Sequence, residues 1–354
     1  MEVNVQAFNK NVKKIQEFVH NKKIMPVIKA NAYGTHINKK LEIIDKFDIV
    51  AVAIIDEAIE LRKNGYKKEI FVLNQPYIDE LEDIIKYDIT IGLSSDEFLN
   101  NIIGLKNKIK VHLEIETGMN RTGIKKEELK KIIVKIKENK NICVEGVYTH
   151  LSSADYDQEY TMMQLKKFEE AVNVVIDEFK NIKYIHSSSS NGLLNYDDKI
   201  SNLVRPGILL YGYKSFEDSN KKINVEPICK LKTKITFLKE INEGESISYS
   251  RRFVSNKKMR IATIPIGYAD GLRRDSLNDT EVVVNGTKTK VVGSICMDSC
   301  MIDVTNIKNV EIGTTVYIWD NELITLEDIA AKHNTINYEM MSTISYRVPR
   351  IFIE

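Results

Sequence analysis

Four cysteines are scattered over 354 residues (Cys143, Cys229, Cys296 and Cys300), and no two of them form a Cys-x-x-Cys pair. That number and spacing exclude a disulfide framework. Cys296 and Cys300 have no second ligand pair nearby, so no metal site is expected. A dominant charge is also lacking, because 51 lysines and arginines stand against 50 aspartates and glutamates. So balanced a chain has no field to draw in phosphate backbones or anionic lipid, and nucleic-acid binding is a poor reading. No apolar run approaches a membrane span, and Met1 to Lys10 holds no basic region followed by an apolar core. A cytoplasmic protein with no membrane partner is therefore expected. No Gly-x-Gly-x-x-Gly follows the first strand-like run, which counts against a doubly wound dinucleotide fold.

What is present is 43% hydrophobic and 29% charged, enough for a large α/β domain and a second unit with its own core. Ala7, Phe8, Val12, Ile15 and Val19 recur at helical spacing, and a strand from Lys23 to Lys29 follows. Strand-length apolar runs then alternate with amphipathic patterns: Ile49–Ala53 with Ile55–Lys63, Ile70–Leu73 with Asp79–Lys86, Ile89–Leu93 with Glu97–Leu105. The alternation continues through Val111–Ile115 and Lys125–Lys137, Cys143–Tyr148 and Asp157–Phe179, to Lys183–Ile185. About eight such units in roughly 220 residues suit an α/β fold, an N-terminal (β/α)8 TIM-type barrel. Around Pro227 the pattern changes to short β runs: Leu231–Leu238, Met259–Pro265, Glu281–Val284, Lys290–Ile295, Met301–Val304 and Thr315–Trp319. They are divided by Asn-Glu-Gly, Asn-Gly and Ile-Gly turns, with a small helix at Leu326–His333. We expect a barrel over residues 1–225 and a mainly-β domain over 226–354.

Within Met25-Pro26-Val27-Ile28-Lys29-Ala30-Asn31-Ala32-Tyr33-Gly34 a buried run ends in a lysine and passes into small residues. The ammonium would sit at the carboxyl end of a barrel strand, where barrels keep their chemistry, and desolvation would make it nucleophilic. A solvated strand end is the plain alternative. Arg121, in Thr117-Gly118-Met119-Asn120-Arg121-Thr122-Gly123, and His150 likewise follow strands, where an ordinary salt bridge and a packing histidine are the bland readings. His186-Ser187-Ser188-Ser189-Ser190-Asn191-Gly192 could offer hydroxyls and N–H groups to a phosphate or be a plain turn. Val204-Arg205-Pro206-Gly207-Ile208 is a tight turn with a weak signal of its own. Tyr249, Tyr268, Met297 and Tyr338 stand in loops of the second domain, each explicable as turn or core chemistry.

In this order and spacing, from Val27 to Ser345-Tyr346-Arg347-Val348-Pro349-Arg350, the motifs resemble the alanine racemases of fold type III. The resemblance implies a pyridoxal 5'-phosphate enzyme racemising a small amino acid by two bases, with D-alanine for peptidoglycan precursors as the product. It makes Lys29 the Schiff-base lysine and Tyr249 the opposing base, contributed by the partner chain of a homodimer with shared active sites. Tyr33, Ser190, Gly207, Ile208 and Tyr338 would surround the phosphate, Arg205 the pyridine nitrogen and His150 the ring. Arg121 and the Met297 backbone would meet the substrate carboxylate, and Tyr268 would stand at the entrance. Many relatives carry, where this chain has Glu114, a lysine whose carbamate holds the arginine. Glu114 cannot be carbamylated but already bears a carboxylate, and we expect it to orient Arg121 directly or through water.

Three departures fall near the substrate channel and remove neither base: Gly34-Thr35-His36 where many relatives read Gly-His-Gly after the lysine motif, Ser189-Ser190 where Asn-Ser is usual, and Ser294 where an arginine often precedes Ile-Cys-Met-Asp. A fold type III decarboxylase would use a cysteine where Tyr249 stands. A single-barrel cofactor-binding protein would lack the domain after Pro227. A racemase for serine, lysine or a diamino diacid is the nearest alternative.

Overall fold

The computed structural model describes residues 1–214, 223–274 and 280–354. Strand β1 (Glu2–Asn4) leads into the helix Val5–Val19. The barrel strands follow: β2 (Lys23–Ile24), β3 (Ile49–Val52), β4 (Glu69–Val72), β5 (Thr90–Leu93), β6 (Ile109–Glu114), β7 (Ile142–Tyr148), β8 (Tyr184–His186) and β9 (Leu203–Val204). Strands β3 to β8 form one parallel sheet in sequence order. Its ends are joined by β2 and β9, which pair in parallel through Lys23 with Leu203 and Ile24 with Val204. On one side, Asn202 N–H donates to Ile185 O at 3.0 Å and Arg205 N–H to Ser188 O at 2.9 Å, linking β8 to β9. On the other, Ala51 N–H donates to Pro26 O at 2.9 Å and Ile28 N–H to Ala51 O at 2.8 Å, linking β2 to β3. Among the described residues, eight parallel strands thus close into the expected barrel.

Such strands are covered on both faces, which is why β3 reads Ile-Val-Ala-Val with every residue buried. The helix Ile55–Lys63 opens with Asp56 and Glu57 and closes with Arg62 and Lys63, charges that oppose its dipole. Helix Gln158–Glu178 starts where the Asp157 carboxylate accepts Tyr160 N–H at 2.9 Å. Strand β9 was not visible as a strand, because two paired residues next to Pro206 are too few for a period to register. The expected strand Lys23–Lys29 pairs at Lys23, Ile24 and Val27 and no further, and Lys29 already starts a turn.

The second compact unit comprises Met1–Ala7, Tyr33–Thr35 and Pro227–Glu354. Its strands are β10 (Cys229–Lys234), β11 (Phe237–Ile241), β12 (Ser246–Ile247), β13 (Phe253–Val254), β14 (Met259–Ile264), β15 (Glu281–Val284), β16 (Thr287–Val292), β17 (Cys300–Asp303), β18 (Thr315–Trp319) and β19 (Ile351–Ile353). Nine of the described strands form one sheet in the order β11-β14-β17-β16-β15-β18-β10-β1-β19. Hence the first seven residues count with this unit rather than the barrel: β1 runs antiparallel to β10 and parallel to β19. The run expected as one strand, Leu231–Leu238, is two, since β10 pairs with β18 while β11 pairs with β14. Asn285-Gly286, both at positive φ, turns β15 into β16, as a tight hairpin requires. Among the described residues no helix is long and apolar enough to cross a membrane.

One layer inside the barrel bears on the site. Phe71 stacks on His112 with ring centroids 4.4 Å apart, and Tyr148 stacks on His186 at 5.1 Å. His112 lies flat there because its neighbour on β7 is Gly146, where an added Cβ would come within 2.7 Å of the His112 Cγ. We expect Gly146→Ala to lower stability by about 1–3 kcal/mol through overpacking. Thermal unfolding checks this, and an unchanged midpoint would contradict the packing argument.

Candidate active site

Lys29 ends the β2 segment, half-buried behind the buried Pro26-Val27-Ile28. The chain then makes one turn of the wrong hand. Ala30, Asn31, Ala32 and Tyr33 have φ between 51° and 55°, and the first three have ψ between 48° and 55°. Consecutive left-handed L-residues cost roughly 1–2 kcal/mol each, and strain of this kind gathers at functional sites. Ala32 N–H donates to Ile28 O at 2.9 Å and His36 N–H to Asn31 O at 2.8 Å, which closes the turn. Burial lowers the Lys29 pKa, and the positive charges of Arg121 and Arg205 add to the effect while Glu57 opposes it.

Arg205 follows β9 and is 2% exposed. Its Nη1 donates to His186 Nδ1 at 2.7 Å and His186 O at 2.9 Å. Its Nη2 donates to Thr149 O at 2.8 Å, Ser187 O at 2.9 Å and His150 Nδ1 at 3.3 Å. These contacts occupy both terminal nitrogens, and among the described residues no acceptor meets the Nε hydrogen. Burial lowers its pKa to about 10, so it stays cationic at neutral pH. Because a guanidinium only donates, His186 Nδ1 must accept and His186 must carry its hydrogen on Nε2. That hydrogen reaches His112 Nδ1 at 2.9 Å, so His112 is protonated on Nε2, a buried atom with no protein partner. Burial, then Arg205, keeps these rings neutral: His112 is pushed down to about 3 and His186 well below its usual value. His150, at the end of β7, is pushed down to about 3 by burial and by Arg205, Arg121 and Lys29. Sequence reasoning missed His112 and His186 as supports for the arginine. The available signal was a histidine inside an apolar strand and another closing the next strand but one.

Ser190 opens a short helix, Ser190–Asn195, and is buried. Its Oγ accepts Gly207 N–H at 3.0 Å and Leu209 N–H at 3.3 Å, so the expected phosphate-binding residues Ser190, Gly207 and Ile208 do converge. Glu114 closes β6 at 3% exposure and accepts Ser94 Oγ at 2.5 Å and Thr122 Oγ1 at 3.0 Å. The expected direct pairing with Arg121 is not formed. Arg121 lies exposed on the following loop, and among the described residues it has no ion pair with Glu114. The inward-facing carboxylate is satisfied by hydroxyls instead, and Thr122 is the residue next to Arg121. Glu116 shapes the same loop by accepting the N–H groups of Gly118 and Asn120.

In the second unit, Tyr33 is buried with its ring centroid 6.1 Å from that of Tyr338. Tyr249 is 63% exposed, in a short turn after β12 where Ser250 has φ 62°. Ser294, one of the departures noted above, supports that turn: its Oγ donates to Tyr249 O at 3.3 Å, and Ser248 Oγ donates to Ser294 O at 2.6 Å. Tyr268 N–H donates to Cys296 O at 3.1 Å and Ala269 N–H to Met297 O at 3.0 Å, so the Tyr268 and Met297 loops lie side by side. Arg347 braces both, with Nε on Asp270 at 2.7 Å and Nη2 on Asp298 at 2.5 Å.

The chain is similar over nearly its whole length to known proteins. The family model described as "Alanine racemase, N-terminal domain" matches residues 3–215, and that described as "Alanine racemase, C-terminal domain" matches residues 228–352. The chain belongs to the alanine racemase family. A relative named alanine racemase from Methanococcus maripaludis is 38% identical over 99% of this chain and 98% of its own length. The solved alanine racemase of Clostridium difficile 630 is 35% identical with a TM-score of 0.92, covering 100% of this chain and 95% of that one. The Bacillus anthracis alanine racemase with bound L-Ala-P is 33% identical with a TM-score of 0.93, covering 100% and 94%. Gathered after the barrel strands are a desolvated amine, a buried arginine, a neutral histidine ring and a serine hydroxyl that accepts two backbone N–H groups.

Proposed function

We propose that this alanine racemase family member interconverts L- and D-alanine with pyridoxal 5'-phosphate, as a homodimer in the cytoplasm. The observation that carries the reading is the cluster of Lys29, Arg205 and His150 at the carboxyl ends of β2, β9 and β7, in a chain 38% identical to a full-length alanine racemase. Free thiols at all four cysteines suit a reducing compartment.

In this reading the Lys29 amine holds the cofactor. Ser190 with the Gly207 and Ile208 backbone would take its phosphate together with Tyr33 and Tyr338, and His150 and Arg205 would hold its ring. When bound, the group draws electrons from the substrate Cα–H bond and so acidifies that hydrogen. Racemisation then needs one base on each side of Cα. Lys29 moves the proton on the D face, and its lowered pKa brings the amine nearer neutral pH, where it can accept as well as donate. Tyr249, exposed on its own unit, serves the L face of the partner chain's site. Arg205 has no proton it can readily release, so it would leave the cofactor nitrogen unprotonated. Arg121 and the Met297 backbone hold the substrate carboxylate, and Tyr268 with Tyr338 narrows the entrance to alanine rather than a longer side chain.

Glu114 acts on Arg121 through Thr122, fixing the loop on which the arginine sits, and does so without a carbamate. We therefore expect Glu114→Gln to lower turnover about tenfold with full cofactor content, since a buried charged acceptor has become a neutral one. Activity should not respond to bicarbonate. A glutamine variant that turns over like wild type would contradict this role for Glu114.

The proposed function is tested by borohydride trapping followed by subunit mixing. Trapping should place the adduct on Lys29 and fail in Lys29→Ala, and an adduct on another lysine would overturn the assignment. Inactive Lys29→Ala and inactive Tyr249→Phe proteins, allowed to exchange subunits, should regain part of the activity. No recovery after proven exchange would contradict a shared site.

A further inference from the structure

Where β2 and β3 part, their ladder is completed by a side chain. The two chains alternate bonds in the parallel manner, with Ala51 N–H on Pro26 O and Ile28 N–H on Ala51 O. Continued by two residues, the ladder would put Ala30 N–H on Ala53 O. The left-handed turn takes Ala30 away, and Ala53 O accepts Asn74 N–H instead. Two backbone donors are left at the fork, and both go to one carboxylate: Glu57 Oε1 accepts Ala30 N–H at 2.5 Å, and Oε2 accepts Ala53 N–H at 2.7 Å. Glu57 lies on the helix Ile55–Lys63 and reaches back past its start, where Ile54 has no side-chain cap of its own. Among the described residues it has no ion pair, so its charge is not committed to a neighbouring cation.

We infer that Glu57 is a positioning residue: a two-oxygen clip that holds the left-handed turn and thereby fixes Lys29, the residue before its first contact. The groups facing the amine are Arg121 after β6, Arg205 after β9, His150 after β7 and Glu57 after β3, and Glu57 is the anion among them. A carboxylate there favours the ammonium, while the two arginines disfavour it. Removing the charge should therefore lower the pH at which Lys29 loses its proton, whereas moving the charge slightly should not. Glutamine cannot replace the clip, because one of its two ends is a donor facing a donor.

The inference rests on Lys29 as the cofactor lysine for its functional meaning, but its geometry is testable without that. Hydrogen exchange, followed by mass spectrometry on the whole purified protein, should show the peptide spanning Lys29 to Gly34 exchanging at least about tenfold faster in Glu57→Gln than in wild type, with the other barrel strands unchanged. In protein stripped of cofactor, the pH midpoint for acylation of Lys29 by an anhydride should fall in Glu57→Gln. Glu57→Asp keeps the charge but is too short to reach both N–H groups, so it should raise exchange and leave the midpoint near wild type. The aspartate variant also decides the matter if the glutamine variant does not fold. Wild-type exchange of the turn in either variant would overturn the inference. So would a midpoint in Glu57→Gln equal to that of wild type. A borohydride adduct on a different lysine would sink the cofactor assignment and leave these exchange results intact.

Discussion

A guanidinium that is 2% exposed must find acceptors for its hydrogens, and Arg205 finds them at the ends of two neighbouring strands. Through Thr149 O, His186 O and Ser187 O it ties β7 and β8 to its own strand end, and through His186 Nδ1 it sets the tautomer of a buried histidine pair. The pair can stay neutral because burial and the adjacent positive charge both disfavour a second proton. Breaking such an arrangement at one member would leave a buried charge or a buried donor without a partner, which typically costs several kcal/mol. The ring of strands and the polar centre of the barrel therefore support each other. Gly146 belongs to the same unit, since it makes the space in which His112 lies.

The turn after Lys29 shows the opposite tactic. There the backbone is held in an unfavourable conformation by short local bonds and by one carboxylate from a neighbouring helix. Strain at the lysine and satisfaction at the arginine lie on strands that pair with each other, β2 and β9. Burial and then Arg121 lower the pKa of the amine, and the pairing adds the fixed charge of Arg205 to them.

Much of this was legible beforehand because it is periodic. The helix Ile55–Lys63 and the strand Glu281–Val284 have the bounds that their patterns suggest, and seven of the barrel strands announce themselves as apolar runs. Lys29, Arg121, His150 and Arg205 were marked by their positions after strands and by a family pattern. What escaped was carried by single contacts. Strand β9 has two residues, β1 joins its sheet across the length of the chain, and the Leu231–Leu238 run conceals a change of partner strand at its middle. Glu57 looks like an ordinary acidic residue in a first helical turn, and only the fork between β2 and β3 shows what its oxygens meet. Glu114 was identified as an anion for Arg121, yet its hydroxyl partners Ser94 and Thr122 cannot be read from spacing.

The central claim is that two different bases flank Cα, Lys29 on one side and Tyr249 on the other. Proton NMR of alanine incubated with the Tyr249→Phe protein in heavy water tests it most directly. The account predicts that D-alanine loses its Cα proton to solvent deuterium without inversion, through Lys29, while L-alanine keeps its own. Equal loss from both enantiomers, or loss from L-alanine alone, would contradict it.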